Sequence, residues 1–193
     1  MVARAPKKLG KKNAAKKNPA KKAGKPAARL KKFSTAKSQL AGPLSLDIRK
    51  PRVLIVEARY YEDIADALFE GAKAAIEASD FEYDRIDVPG ALEIPAAIRF
   101  AMNRTGSKAY DGYVALGCVI RGETTHYDIV TNESARGLQQ LALDFQLAIG
   151  NGILTVENED QAWDRARTDR QNKGGDAALA CVAMIGLKQL FAL

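Results

Sequence analysis

A chain of 193 residues with 47% hydrophobic content can bury one substantial core, which leaves a single domain once any polar tail is set aside. The net charge of +7 belongs to the tail: fourteen of the 30 Lys and Arg lie in residues 1–40, where no Asp or Glu occurs, leaving 16 basic against 23 acidic residues. That balance excludes a basic nucleic-acid interface on the folded part, and no apolar run reaches the length of a secretion h-region or a membrane helix.

Residues 1–42 are a low-complexity Lys/Ala/Pro stretch, typified by "KKNAAKKNPAKKAGKPAARLKK". Such a composition cannot bury enough apolar surface to offset the entropy of ordering, so a disordered tail is expected there and a folded domain over 43–193. The tail is built on Lys, whereas organellar transit peptides are rich in Arg and Ser, so the cytoplasm is the expected compartment. Cys118 and Cys181 show no metal or redox spacing, in keeping with reducing surroundings.

After Pro51, the continuous apolar run "RVLIVEA" (52–58) predicts a buried parallel strand. Between 63 and 78, Ile64, Ala67, Leu68, Ala72, Ala75 and Ile76 recur at helical spacing. A second strand is read at 83–88, a turn at Pro89-Gly90, and a helix over 91–103 with a proline in its early turns. "YDGYVALGCVI" (110–120) predicts a third strand, followed by a long helix over 124–147. A fourth strand is expected at 150–156, then helices at 159–169 and 175–191 separated by Asn172-Lys173-Gly174-Gly175.

Strands alternating with helices imply a parallel sheet covered on both faces, since parallel neighbours need right-handed crossovers. In such sheets ligands collect beyond the carboxyl ends of the strands. That rule selects Glu57–Tyr61, Pro89–Glu93, Gly117–His126 and Glu157–Glu159 as candidate site segments.

The third segment holds the chain's one histidine, in "IRGETTHYDIV" (120–130). Gly122 permits close backbone approach, and a helix starting near Thr124 offers unpaired N–H groups and a positive dipole end, which favour an anion such as phosphate. His126, one turn inside, carries a side chain able to move protons near neutrality. Glu123 weighs against an anion unless its carboxylate turns away. Cys118 in "VALGCVI" reads as a small core residue rather than a nucleophile. Arg165 and Lys173 flank a helix end and its Gly-rich neighbour, as a solvated helix face or as a phosphate clamp.

Taken together, "VPGALEIP" (88–95), "LGCVIRGETTHYDIVTNESARG" (116–137) and "GILTVEN…DRARTDRQNKG" (152–174) closely resemble the lumazine synthase family, from about Arg52 to the C-terminus. The resemblance implies a flavodoxin-like three-layer α/β/α sandwich around a four-stranded parallel sheet. It implies condensation of 5-amino-6-(D-ribitylamino)uracil with 3,4-dihydroxy-2-butanone 4-phosphate, the penultimate step of riboflavin biosynthesis. The product is 6,7-dimethyl-8-ribityllumazine, with loss of phosphate and water, and no metal or other cofactor is implied.

Residue by residue, the resemblance makes His126 the proton-transfer histidine and Arg165 the phosphate-holding cation. Lys173 is implied near the phosphate, and the main chain at Glu123 and Thr124 is implied to cradle it. Ala91, Leu92 and Glu93, with Cys118, Val119 and Ile120, are implied to bind the ribitylaminouracil, Glu93 accepting from ribityl hydroxyls. Tyr60 matches the aromatic that stacks on the pyrimidine, usually Phe or Trp. Two departures stand out: Asn151 and Leu92 occupy positions where many members carry Phe, a loss of about 1 to 3 kcal/mol of ligand contact if both stacks are missed.

The resemblance also implies a homopentamer with sites shared between adjacent subunits, Asn151 being supplied by a neighbour. It leaves open a decamer or a sixty-subunit shell. The expected spatial arrangement is that His126 and Arg165 converge on one phosphorylated guest. No membrane partner is expected. A rival role for residues 1–40 is RNA or DNA binding by several tails on one oligomer. Absence of aromatic residues before Phe33 argues against base stacking and favours a solvated tail. A second rival is a catalytically weakened shell or ligand-binding member, motivated by Asn151 and Leu92.

Overall fold

The computed structural model describes residues 49–193; the expectation of disorder over 1–42 and the boundary at 43 lie outside the described residues. Four strands, β1 (Arg52–Ala58), β2 (Glu82–Val88), β3 (Gly112–Ile120) and β4 (Ala148–Val156), form one all-parallel sheet in the order β2-β1-β3-β4. Among the described residues five α-helices cover it: α1 (Glu62–Ala78), α2 (Ile94–Ala101), α3 (His126–Asp144), α4 (Glu159–Ala166) and α5 (Lys173–Leu190). None of these helices is long and apolar enough to cross a membrane.

The strand order dictates the layers. The chain moves one way from β1 to β2 and the other way from β2 through β3 to β4, so right-handed crossovers put α1 on one face and α2 and α3 on the other. Two separate apolar clusters record this. Val53, Ile55, Val114 and Leu116 pack with Leu68, Ala72 and Ile76 of α1, Ala162 and Ala166 of α4, and Ala178 and Cys181 of α5. On the opposite face Leu54, Val56 and Ala115 meet Ile94 and Ile98 of α2 and Leu138 and Leu141 of α3. The parallel sheet covered on both faces that the alternating pattern predicts, and the three-layer, flavodoxin-like sandwich that the resemblance implies, are the fold observed.

Every strand and helix of the sequence reading exists, but several ends differ. α3 begins at His126 and stops at Asp144, because Gln146 takes a left-handed conformation (φ 52°) that turns the chain into β4 two residues early. Ala91-Leu92-Glu93 form a turn instead of the first turn of α2, which starts at Ile94 with Pro95 in its opening positions. The helix expected to run to 169 ends at Ala166.

Gly174 and Gly175 are the opening turn of α5 rather than a break. The break lies ahead of them, where Asn172 (φ 48°) caps the helix by accepting from the Gly175 N–H at 3.2 Å. Gly174 is required by packing: a Cβ there would sit 1.9 Å from the Leu68 carbonyl oxygen of α1. Gly150 does the same for β4, where a Cβ would lie 2.0 Å from the Ala177 oxygen of α5.

Between β1 and β3 the direction of winding reverses, and at such a point the loops leaving the two strands diverge and leave a crevice at their carboxyl ends. The opposite end of the sheet is tied shut. Asp111, just before β3, accepts from both Arg49 terminal nitrogens at 2.8 and 2.9 Å and from the Arg52 N–H at 2.7 Å. Residue 49 therefore enters the fold at the pole away from that crevice.

Candidate functional site

The crevice is a cleft of about 510 Å³, in the range of small-molecule sites. Its walls come from four chain segments: Ala58, Tyr60 and Tyr61 at and beyond the end of β1; Gly90, Ala91, Leu92 and Glu93 after β2; Cys118, Val119, Ile120, Gly122 and Thr124 at and beyond the end of β3; and His126, Tyr127 and Val130 of α3. Nine of the thirteen site residues expected from the sequence meet here: Tyr60, Ala91, Leu92, Glu93, Cys118, Val119, Ile120, Thr124 and His126.

Local chemistry explains the shape of each wall. The turn after Pro89-Gly90 brings the Glu93 carboxylate back over Gly90, where a Cβ would lie 3.0 Å from Oε2, so the acid points along the cleft edge and stays exposed. Around Gly122 the space is open, with nothing within 4 Å of where a Cβ would stand. α3 starts without a side-chain cap from Thr125, and the Thr124 hydroxyl only accepts from the His126 N–H at 3.4 Å. An opening turn capped so weakly keeps its N–H groups available to an anion at the positive end of a long helix.

Arg121 sets the electrostatics beside that helix start. Its Nε donates to Glu157 at 2.9 Å, its Nη1 to Asp128 at 3.3 Å, and its guanidinium lies 3.9 Å from the Tyr127 ring centroid. Two carboxylates next to the cleft are thereby compensated. Glu123, the acid that weighed against an anion, is exposed and forms no part of the cleft lining.

Burial pushes the Cys118 thiol up to about 11, so it stays a thiol at neutral pH and offers no nucleophile. Burial, foremost, also raises the Tyr61 phenol, keeping it a neutral hydroxyl beside Tyr60 and Cys118. Ala58 and Tyr61 also line the cleft, inside the candidate segment Glu57–Tyr61 but with no role assigned from the sequence, whereas Tyr127 and Val130 lie beyond the candidate segments. Val130 stands four residues after His126 on the same helix face, a spacing that could have found it, and Tyr61 doubles the aromatic at Tyr60.

Four expected residues do not line this cleft: Glu123, Asn151, Arg165 and Lys173. Arg165 sits on α4, in the layer on the other side of the sheet from α3, and its Nη1 donates to the Gln161 carbonyl at 3.0 Å. Lys173 pairs with Asp176 at 2.9 Å at the start of α5. Asn151 is exposed on the edge strand β4, opposite Ala115 and well down the sheet from the β3 end, its Oδ1 accepting from the Ile153 N–H. Within one chain, His126 and Arg165 do not share a cavity.

Comparison with known proteins finds that the family model described as 6,7-dimethyl-8-ribityllumazine synthase matches residues 50–189. The chain is 62% identical over 143 residues to the 6,7-dimethyl-8-ribityllumazine synthase of Bartonella tribocorum, covering 74% of this chain and 93% of that protein. It is 57% identical over 148 residues to the corresponding protein of Afipia carboxidovorans, covering 76% of this chain and 91% of that protein. To 6,7-dimethyl-8-ribityllumazine synthase 1 of Rhizobium meliloti it is 59% identical over 144 residues, covering 74% and 94%.

Proposed function

The chain belongs to the 6,7-dimethyl-8-ribityllumazine synthase family, and from that premise we propose that the cleft at the β1/β3 reversal is where its two substrates meet. The enzyme condenses 5-amino-6-(D-ribitylamino)uracil with 3,4-dihydroxy-2-butanone 4-phosphate to 6,7-dimethyl-8-ribityllumazine in riboflavin biosynthesis. The observation that carries the site is the meeting of nine expected residues, from four chain segments, around one crevice.

In the proposed arrangement the pyrimidine lies against Tyr60 and the main chain of Cys118–Ile120, with Glu93 accepting from ribityl hydroxyls. The phosphate rests at the opening of α3, over Gly122 and the main chain of Glu123 and Thr124. The amine attacks the ketone to give a carbinolamine, which loses water to form an imine; phosphate departs by elimination, and the ribitylamino nitrogen closes the second ring on the carbonyl this leaves, expelling a second water. His126, on the first turn beside that phosphate, relays the protons, and the helix start stabilises the departing dianion.

We further propose that a neighbouring subunit completes each site with Arg165, Lys173 and Asn151, in a homopentamer. Three observations support this: these residues stand outside their own chain's cleft, β4 is an edge strand with no outer partner among the described residues, and α3 leaves Ile129 and Leu143 exposed. Two free, buried cysteines are in keeping with a cytoplasmic location. Leu92 and Asn151 favour a weaker-binding member over an inactive one, since His126 and Glu93 still face the cleft.

The test is incubation of the protein with both substrates while following lumazine absorbance. Steady formation with one phosphate released per lumazine is expected, and binding of either substrate without turnover would contradict the reading. Deletion of residues 1–40 is expected to leave kcat and both KM values unchanged, because residue 49 joins the fold at the pole opposite the cleft. Any retention on immobilised RNA or DNA should vanish with the same deletion.

A further inference from the structure

Within its own chain Tyr60 is 75% exposed, and its ring contact is with Tyr61, met edge-on at 5.0 Å, so side-chain packing inside the chain does little to fix it. The residue before it is held firmly. Arg59 Nη1 donates to Asp66 Oδ1 of α1 at 2.8 Å and to Glu57 Oε2 of β1 at 3.3 Å. Glu57 is wholly buried, and Arg85 of β2 closes around it through Nε and through Nη2, the latter at 3.1 Å, while also reaching Asp66 at 3.5 Å.

Two acids and two arginines thus form a closed, charge-balanced network joining β1, β2 and α1. Arg59 is its one member on the β1–α1 connection. The Arg85 guanidinium lies 3.9 Å from the Phe69 ring centroid, which anchors the network against the core. The Asp66 carboxyl is held below its ordinary range, foremost by its hydrogen bond from Arg59, so the anchor stays charged at neutral pH.

We propose that Arg59 is a positioning residue for the pyrimidine substrate: clamped between Glu57 and Asp66, it fixes the backbone that presents the Tyr60 ring to a flat heterocycle. This rests on the reading of the cleft given above. A ring already held in its bound orientation loses less freedom when the substrate stacks on it, so the clamp acts on affinity for that substrate. It touches neither the phosphate end nor His126, so it leaves the chemical step alone. Loss of binding common to ground and transition states raises KM without lowering kcat.

The test compares Arg59→Met, Arg59→Lys, Asp66→Asn and Tyr60→Ala with the unaltered protein, measuring kcat and KM for each substrate and the thermal midpoint. Arg59→Met leaves Glu57 with both Arg85 bonds, and the Asp66 side chain is 58% exposed, so neither change strands a buried charge. Arg59→Met is expected to raise the KM of the ribitylaminouracil by about three- to tenfold, on the scale of one aromatic stack. Asp66→Asn and Arg59→Lys should fall between, with kcat and the KM of the butanone phosphate unchanged.

A pyrimidine KM at the unaltered value in Arg59→Met, while Tyr60→Ala raises it, would overturn the positioning role and leave the functional reading standing. A fall in kcat that tracks the thermal midpoint across the series would make the network structural only and overturn it equally. If Tyr60→Ala itself leaves the pyrimidine KM unchanged, the stacking role falls and the clamp's purpose with it.

Discussion

Replacing His126 by Ala should lower kcat by about 10- to 100-fold while leaving both KM values close to those of the unaltered enzyme. General acid–base catalysis is typically worth about 10²- to 10⁴-fold, and the loss is placed at or below the low end because His126, exposed in the single chain, sits at the cleft mouth, where water can take over part of the proton traffic. On the proposed reading the larger share of the acceleration comes from holding amine and ketone together, which the cleft walls would do without the imidazole. Steady-state lumazine formation measures it. A kcat equal to that of the unaltered enzyme would remove His126 from the chemistry, and a loss as complete as in heat-killed protein would remove juxtaposition.

The largest expected effect on stability is that of Arg85→Met. Glu57 has no solvent exposure, and of its three arginine contacts Arg85 supplies two, the remaining one being the longer Arg59 bond. Taking Arg85 away leaves a buried carboxylate without most of its compensation, a change that costs about 3–5 kcal/mol. Replacing both partners, as in Glu57→Leu with Arg85→Met, should be less damaging than Arg85→Met alone, because no charge is then stranded. Urea midpoints at one fixed protein concentration test the pair. A double variant weaker than the single one by the full additive amount would mean that the residues act independently.

The sheet was legible in the sequence because buried parallel strands are continuous apolar runs, and "RVLIVEA" and "YVALGCVI" are such runs. Their carboxyl ends then pointed to the cleft before any contact was known. Helix ends were less legible, for reasons that lie far away in the chain. Gly174-Gly175 looks like a break until the Leu68 carbonyl, more than a hundred residues earlier, is found against it. The left-handed Gln146 that ends α3 has no glycine or asparagine to announce it.

Within the site, the motif residues on strand ends and on α3 converge as their spacing implies, whereas Arg165 and Lys173 could not be placed by sequence because they ride on the opposite layer. Glu57 shows the same limit. A lone acid in an apolar strand signals something, but its partners come from two different places, Arg59 on the β1–α1 connection and Arg85 on β2. Only the parallel register, which sets Glu57 beside Asp87 and so brings Arg85 within reach, reveals that the charge is balanced.

A site divided between two protomers can be tested by complementation. His126→Ala and Arg165→Ala proteins, each impaired alone, are unfolded together, refolded as a mixture and assayed for lumazine formation. In random mixed assemblies about a quarter of the interfaces would pair an intact His126 with an intact Arg165. Activity rising well above both parents, toward about that fraction of the unaltered enzyme, is the predicted result. A mixture no more active than the mean of its parents, although mass measurement finds both chains in the same oligomers, would contradict the shared cleft.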